Sequence, residues 1–415
     1  MKTEQAHSNE QWKKMRFDQF FDMLPTNTLS RDKLNNQRGE YQNIHYGDVL
    51  IKYSYCLDCN VNDIPYINEG VRFNTAQVKN GDVIFADTAE DDTVGKCVEV
   101  LNVGDRKIVS GLHTYFCRPK HEMAPGYLGY FLNSNHFHNQ LLPYIAGSKV
   151  SSVNRTSIAR TFIFYPESLP AQRRIAAILS SADKVIASTQ KVIAKYKQMK
   201  QGMMEDLLKP KEGWKMVKLG DVVTVFDGTH QTPYYVENGI PFYSVENVTS
   251  NEFEHTKYIT EEEHLLLTQK HKIEKGDILM TRIGSIGVCK LVDWDVNASF
   301  YVSLALLKMK EGFDAKYLVF YSQTEAFKRS ILHESLTFAY PQKINLGDIC
   351  NVEMFVPYKK NAPDLVEQRR IAAILSGIDA KIAAEEKVLE KYGKMKKGMM
   401  ERLLNATINK NNNKI

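Results

Sequence analysis

The chain has 415 residues, is 43% hydrophobic and 25% charged, and carries a formal net charge of +5. That length exceeds one ordinary core, which stops growing near ~250 residues, so two to four domains are expected. No apolar run approaches the roughly 20 residues of a membrane span, and the opening MKTEQAHSNEQWKKMRF lacks the apolar stretch of a secretory signal, so the expected location is cytoplasmic.

In chain order, a first segment begins at Trp12 with WKKMRFDQFF and continues to IHYGDVLIKY at 44–53. Cys56 and Cys59 form a C-x-x-C with no second pair at ribbon or finger spacing. They read as reduced thiols in a strand or turn, and no metal site is expected. A turn and a strand-like run follow at Val78–Ile84, then Tyr127-Leu128 ahead of a short helix, then FIFYP at 162–166. The order then repeats: Trp214 opens WKMVKLGDVV, Ile273–Leu279 matches Val78–Ile84, Tyr317-Leu318 matches Tyr127-Leu128, and EMFVP occupies 353–357.

Each half ends in a long helix. Residues 172–208 and 368–404 align without a gap at a constant offset of 196, and about two-thirds of the positions are identical. That is a duplication, since a shared apolar pattern alone does not fix polar identities. Apolar residues recur at spacings of three and four, the pattern of a coiled-coil seam: Ile175, Ile178, Val185, Val192, Tyr196, Met199 and Met203, then Ile371, Ile374, Ile378, Val388, Tyr392, Met395 and Met399. Leu179, Ile186, Ile193 and Leu207 widen the first stripe and Leu375, Ile382, Leu389 and Leu403 the second, so each helix has more apolar surface than one narrow seam buries. Two readings of the stripe stand: an intramolecular coiled coil that accounts for most of it, or leftover apolar surface that docks other subunits. Pro170, and Pro363 with Asp364, sit where helix starts belong, and Pro210 and Gly213 stop the first helix. At ~1.5 Å per residue each helix spans on the order of 55 Å, far longer than a typical globular helix and suited to a spacer.

The order of variable segment, long helix, variable segment and near-identical long helix resembles the specificity subunits of type I restriction-modification systems over almost the whole chain. Pro170 with QRRIA, EQRRIAAIL from Glu367, IHYGDVLIKY and DGTHQTPYY at 227–235 are similar to phrases of that family. The resemblance implies an α+β fold: two mixed α/β target-recognition domains, at 1–168 and 210–362, separated by two long antiparallel helices, at 169–209 and 363–406. The helices form an intramolecular coiled coil with internal pseudo-twofold symmetry, and 407–415 is expected to be a disordered tail. It further implies double-stranded DNA, two methyltransferase subunits and two restriction motor-nuclease subunits as partners. No cofactor is expected on this chain, with S-adenosylmethionine, ATP and Mg on the partner subunits.

Base edges are read by Arg, Lys, Asn and Gln, by Asp or Glu at cytosine, and more loosely by Ser or Thr. In the second domain those types gather in three stretches. Thr229, His230, Gln231 and Thr232 form a polar loop between Gly228 and Pro233, which a capped turn also explains. Arg282 and Ser285 lie in TRIGSIG, where Arg282 is placed for a base or for a neighbouring carboxylate. Thr337, Tyr340, Gln342 and Lys343 belong to TFAYPQK, a mixture suited to backbone contact. The first domain offers Lys149, Ser151, Ser152, Asn154 and Arg155 in GSKVSSVNR. It also offers Asp87 and Glu90 in FADTAEDD as acceptors for cytosine, which a solvated acidic loop explains more simply, and Tyr53, Ser54 and Tyr55, which a strand face explains equally well.

P-loop, dinucleotide-binding, zinc-protease, serine-hydrolase and deaminase signatures are missing, as is the adenine-methyltransferase run of Asn or Asp, two prolines and an aromatic. A non-catalytic protein is expected. A stand-alone repressor and a coiled-coil scaffold are the competing readings. The repressor binds DNA tightly without a partner, and the scaffold shows no sequence preference.

Overall fold

The computed structural model describes residues 11–91, 93–147, 150–336 and 338–405. Lys149, Thr337 and the expected tail at 407–415 lie outside the described residues. The chain divides into two compact units, residues 1–190 with 387–415, and residues 191–386, so each unit takes in part of both long helices.

In the first unit, strands Phe21–Leu24, Thr114–Pro119, Val83–Ala86, Cys97–Leu101 and Cys56–Asp58 lie in that order in one sheet, antiparallel except for the last pair. Val83–Ala86 is buried along its whole length, as expected of a central strand covered on both faces. A second sheet orders Ile108–Ser110, Gln42–Ile44, Tyr66–Ile67 and Leu34–Asn35. Strand Trp12–Arg16 pairs antiparallel with Phe162–Pro166, Trp12 opposite Pro166, and so ties the two ends of the module together. Helices Tyr127–Leu132 and Asn135–Leu141 cover the core, the latter started by Ser134, whose hydroxyl accepts from Phe137 N.

The second unit repeats this frame. Strands Val223–Asp227, Leu304–Met309, Ile278–Thr281 and Cys289–Leu291 form an antiparallel sheet, and Lys257–Ile259, Ile240–Tyr243 and Ser299–Phe300 form another. Trp214–Lys218 pairs with Glu353–Lys359, Trp214 opposite Pro357. Helices Ala315–Tyr321 and Glu325–His333 are started by Asp314 and Thr324, whose side chains accept from Tyr317 N and Phe327 N.

The long helices run Leu169–Leu207 and Leu365–Asn405. Their shared QRRIA motif has a structural cause. Gln172, buried, accepts from Ala124 N at 2.9 Å and donates to Pro166 O at 2.8 Å. Gln368, equally buried, accepts from Asp314 N at 3.0 Å and donates to Gly312 O at 3.2 Å. Each glutamine thereby fixes its long helix to the turn that starts the helix at Tyr127 or just beyond Asp314. The same helices donate their tyrosine hydroxyls to the closing strands, Tyr127 to Phe164 O at 2.9 Å and Tyr317 to Phe355 O at 2.8 Å.

Within each unit the helical segments run antiparallel. In the first, Ile175 and Leu179 share a core with Met400 and Leu404, while Lys396 pairs with Asp183. In the second, Met204 and Leu208 share a core with Ile371 and Leu375, while Lys200 pairs with Asp379. The register of the seam differs from the expected one. Ile175, Leu179, Ile371, Leu375 and Ile378 are buried, and Val192, Tyr196, Met203, Ile374, Tyr392 and Met399 are half-buried. Ile178, Val185, Met199, Val388 and Met395 are exposed. The apolar stripe is wider than one seam, and of its widening residues Leu179, Ile193, Leu375 and Ile382 are buried.

Candidate nucleic-acid interface

In the second unit, strand register sets the geometry. Asp227 ends one strand opposite Ala305, and Thr281 ends another opposite Leu304. Both pair with the same intervening strand, so their ends meet at one edge of the sheet. From there Arg282 Nη1 reaches Asp227 Oδ1 at 2.6 Å, while Arg282 Nε donates to Ile344 O at 3.3 Å. The Arg282 side chain is only 10% exposed. It ties two loops together through a neighbouring carboxylate, the second of the two roles its sequence position allowed. The neighbouring carboxylate is its partner.

Asp227 holds a second group. Its Oδ2 lies 2.7 Å from His230 Nε2, and the His230 side chain is 70% exposed. The loop between them follows the sheet edge, with Thr229 N donating to Phe300 O at 3.2 Å and Val302 N to Thr229 O at 3.0 Å. Gly228 is required there, because a Cβ would meet Tyr301 O at 2.5 Å. Gln231 and Thr232 are exposed at the tip, and Thr229 is half-buried beneath them.

A third loop joins this surface. Gly284 N donates to Gln342 O at 2.8 Å, Ile344 N to Arg282 O at 3.0 Å, and Ile283 bridges Lys343. Ser285, Tyr340 and Lys343 are exposed and Gln342 is half-buried. Three stretches far apart in sequence, 227–232, 282–285 and 338–344, thus converge on one surface of polar groups around the Arg282–Asp227 ion pair. Such a surface is fit to meet base edges and phosphates, with its polar tips held by a rigid sheet.

In the first unit, Ser151–Ser152 pairs with Thr88–Ala89, which brings the two stretches chosen from sequence together. Asp87 and Ser151 are half-buried, and Glu90, Ser152, Asn154 and Arg155 are exposed. Asp87 Oδ1 accepts from Thr88 Oγ1 at 2.8 Å and lies 3.4 Å from His113 Nδ1. Asn154 Oδ1 accepts from Ser157 N at 2.8 Å, and Arg155 Nη2 donates to Met23 O at 3.0 Å. The Tyr53–Tyr55 stretch does not join them as a reading surface. Tyr53 is buried, its hydroxyl donating to Asp63 O at 3.1 Å, and burial pushes its phenol up. Tyr55 packs edge-on to Tyr130 with Lys396 Nζ 4.2 Å above its ring, against the long helix. Ser54 alone of the three is exposed.

Sequence reasoning missed two features. Asp227, three residues before His230, was legible only as part of a family phrase, and its role depends on a sheet register. Phe338, inside the quoted TFAYPQK, is fully exposed beside Tyr340. Cys59 is buried and its thiol is pushed up to about 11 by burial. Among the described residues no cluster of three or more His, Cys, Asp or Glu is placed to hold a metal, and no helix is long and apolar enough to cross a membrane.

Comparison with known proteins places these modules. A model of the type I restriction modification DNA specificity domain matches residues 9–198 and again 211–391. The type I restriction enzyme MjaVIII specificity subunit of Methanocaldococcus jannaschii is 24% identical over 371 residues, covering 83% of this chain and 84% of that protein. The solved S subunit of a type I restriction-modification system from M. genitalium has a similar fold, with a TM-score of 0.57 at 14% identity, over 96% of this chain and 97% of that one. A chain from a structural study of complex assembly and conformational transition in a type I R-M system gives a TM-score of 0.56 at 19% identity, over 95% and 97%. With the family's domain matched twice across most of its length, this chain belongs to the DNA specificity subunits of type I restriction-modification systems.

Proposed function

We propose that each unit reads one short half of a split DNA site and that the chain directs methyltransferase and restriction subunits to that site without doing chemistry itself. One observation carries this reading: the frame is duplicated while the reading edge is not. The Gln172 and Gln368 ties, the Tyr127 and Tyr317 hydroxyls and the lysine–aspartate pairs recur in both units. At the position following the central strand, however, the first unit has Asp87 and the second Arg282. Two equivalent modules with different edges suit two different half-sites around an unread gap. In the second unit His230, Gln231, Thr232, Ser285, Gln342 and Lys343 do the contacting, and in the first Glu90, Ser152, Asn154 and Arg155.

The exposed apolar residues Ile178, Val185, Val388 and Met395 of the first unit, and Met199 of the second, are surfaces for two methyltransferase subunits, with two restriction subunits recruited in turn. S-adenosylmethionine, ATP and Mg then reside on those partners. Replacing residues 214–357 by the second domain of another family member is expected to change one half of the recognised site only. A change in both halves contradicts the modular reading.

A further inference from the structure

Phe338 and Tyr340 are both fully exposed, two residues apart on one loop. Single exposed aromatics are ordinary, but two rings on one short loop held wholly in water are not. Neither ring stacks on another aromatic among the described residues. Their loop is nonetheless anchored: Leu336 N donates to Lys343 O at 2.8 Å, Ala339 N to Leu336 O at 3.1 Å, and Gln342 O accepts from Gly284 N at 2.8 Å. The backbone is therefore fixed to the Arg282 loop while both rings remain fully exposed.

We infer that Phe338 and Tyr340 form an aromatic wedge that enters the base stack of the DNA half-site read by the second unit, unstacking one base step there. This rests on the proposed reading of DNA by that unit. Large rings inserted between base steps exchange exposure to water for contact with base faces, and every base offers such a face, so the contact needs no particular sequence. Of the groups flanking the rings, Lys343 is basic and exposed, Ser335 and Gln342 are polar and half-buried, and the exposed His333 lies 3.0 Å from Glu334; Lys343 suits a phosphate. The matching loop of the first unit, closed by a bridge from Ala146 to Ser152 as Leu336 is bridged to Lys343, has no aromatic between 145 and 153. The distortion is accordingly one-sided. A step that unstacks easily, such as pyrimidine followed by purine, is favoured at that point, which adds specificity at a position no polar group touches.

The test uses the complex of the full chain with its methyltransferase subunit, bound to duplexes of its own mapped site. 2-Aminopurine is placed singly along both halves, away from the adenines that become methylated. The wedge predicts a several-fold rise in fluorescence at one step of the second unit's half and none in the first half. In the Phe338→Ala/Tyr340→Ala variant the rise disappears and binding weakens by about tenfold or more, whereas Phe338→Trp/Tyr340→Trp retains both. Because both rings lie in water, the alanine variant is expected to unfold at the wild-type temperature. Tight, sequence-specific binding with no fluorescence rise overturns the wedge and leaves the reading of DNA standing. A rise that persists in the alanine variant, or a variant that binds DNA normally but no longer assembles with the methyltransferase, assigns the rings elsewhere and also overturns it. Absence of any sequence-specific binding by the wild-type complex overturns the reading itself, and the wedge with it.

Discussion

Lys200 Nζ lies 2.8 Å from Asp379 Oδ1, joining the two long helices within the second unit. The offset of 196 that relates the helices carries Lys200 onto Lys396 and Asp183 onto Asp379, and those residues pair in the first unit. One duplicated sequence thus makes the same cross-link twice by exchanging which copy supplies the cation. The surroundings differ. Tyr130 OH donates to Asp183 Oδ2 at 2.7 Å, whereas Phe320 at the matching place has no hydroxyl and lies under Lys200 Nζ at 5.5 Å.

That difference predicts unequal costs. Asp379→Ala removes a half-exposed ion pair and should lower stability by about 0.5–1 kcal/mol. Asp183→Ala also strips the partner from a largely buried tyrosine hydroxyl and should cost about 1–3 kcal/mol. Denaturant melts of the two variants, compared with Tyr130→Phe/Asp183→Ala, measure the gap, which should shrink when the hydroxyl is removed as well.

Gln172→Ala and Gln368→Ala each delete two hydrogen bonds made by a buried amide. Each leaves a backbone donor and acceptor without that partner, a loss of about 2–3 kcal/mol. Thermal unfolding should show similar drops for both variants. Near-neutral substitution at either position would mean that the glutamine of this motif serves partners and not the fold.

Arg282 and His230 should separate structure from reading. Arg282→Ala leaves the partly exposed Asp227 with His230 as its remaining partner and leaves Ile344 O without its donor, and should destabilise the second unit by about 1–3 kcal/mol. His230→Ala removes an exposed ring and should leave unfolding within about 0.5 kcal/mol of wild type, while relaxing sequence preference in one half of the site. Selection of bound sequences from a randomised pool, run beside thermal melts, distinguishes the two effects.

Glu99 gives the first unit a pH dependence. Its carboxyl is buried and accepts from Gly126 N at 2.7 Å and Gly129 N at 2.8 Å. Burial outweighs those bonds and pushes its pKa up to about 7 from the ordinary 4.5. A raised carboxylate pKa means that the folded state holds the proton more tightly than the unfolded chain. The contribution is fully present below about pH 4.5 and is lost as pH rises through about 7. The melting temperature of the wild type should therefore fall more steeply between pH 5 and pH 8, both about two units or less from that midpoint, than that of Glu99→Gln. Parallel slopes would contradict the assignment.

Much of this fold is legible in the sequence because duplication repeats it. Trp12 and Trp214, FIFYP and EMFVP, and the two QRRIA phrases mark matching places, although only the structure shows that Trp12 lies opposite Pro166 and Trp214 opposite Pro357. The seam was less legible, because a stripe wide enough to bury several edges does not say which edge is buried; Leu179 is covered and Ile178 beside it is not. The interface was legible as loops and not as roles. Asp227 and Arg282 are 55 residues apart, and no local pattern shows that two strand ends meet across a third. Tyr53 looked like a surface residue of a strand until its hydroxyl proved to be tied inward to Asp63.

The central claim is that one chain reads two half-sites for other subunits, and methylation mapping tests it most directly. The chain is co-expressed with the methyltransferase subunit from its own genome, and methylated bases are mapped across the host DNA. The account predicts a split motif, two short specific blocks around an unread gap, with one methylated adenine in each block. A continuous motif, or a stable complex that methylates without sequence preference, would contradict it.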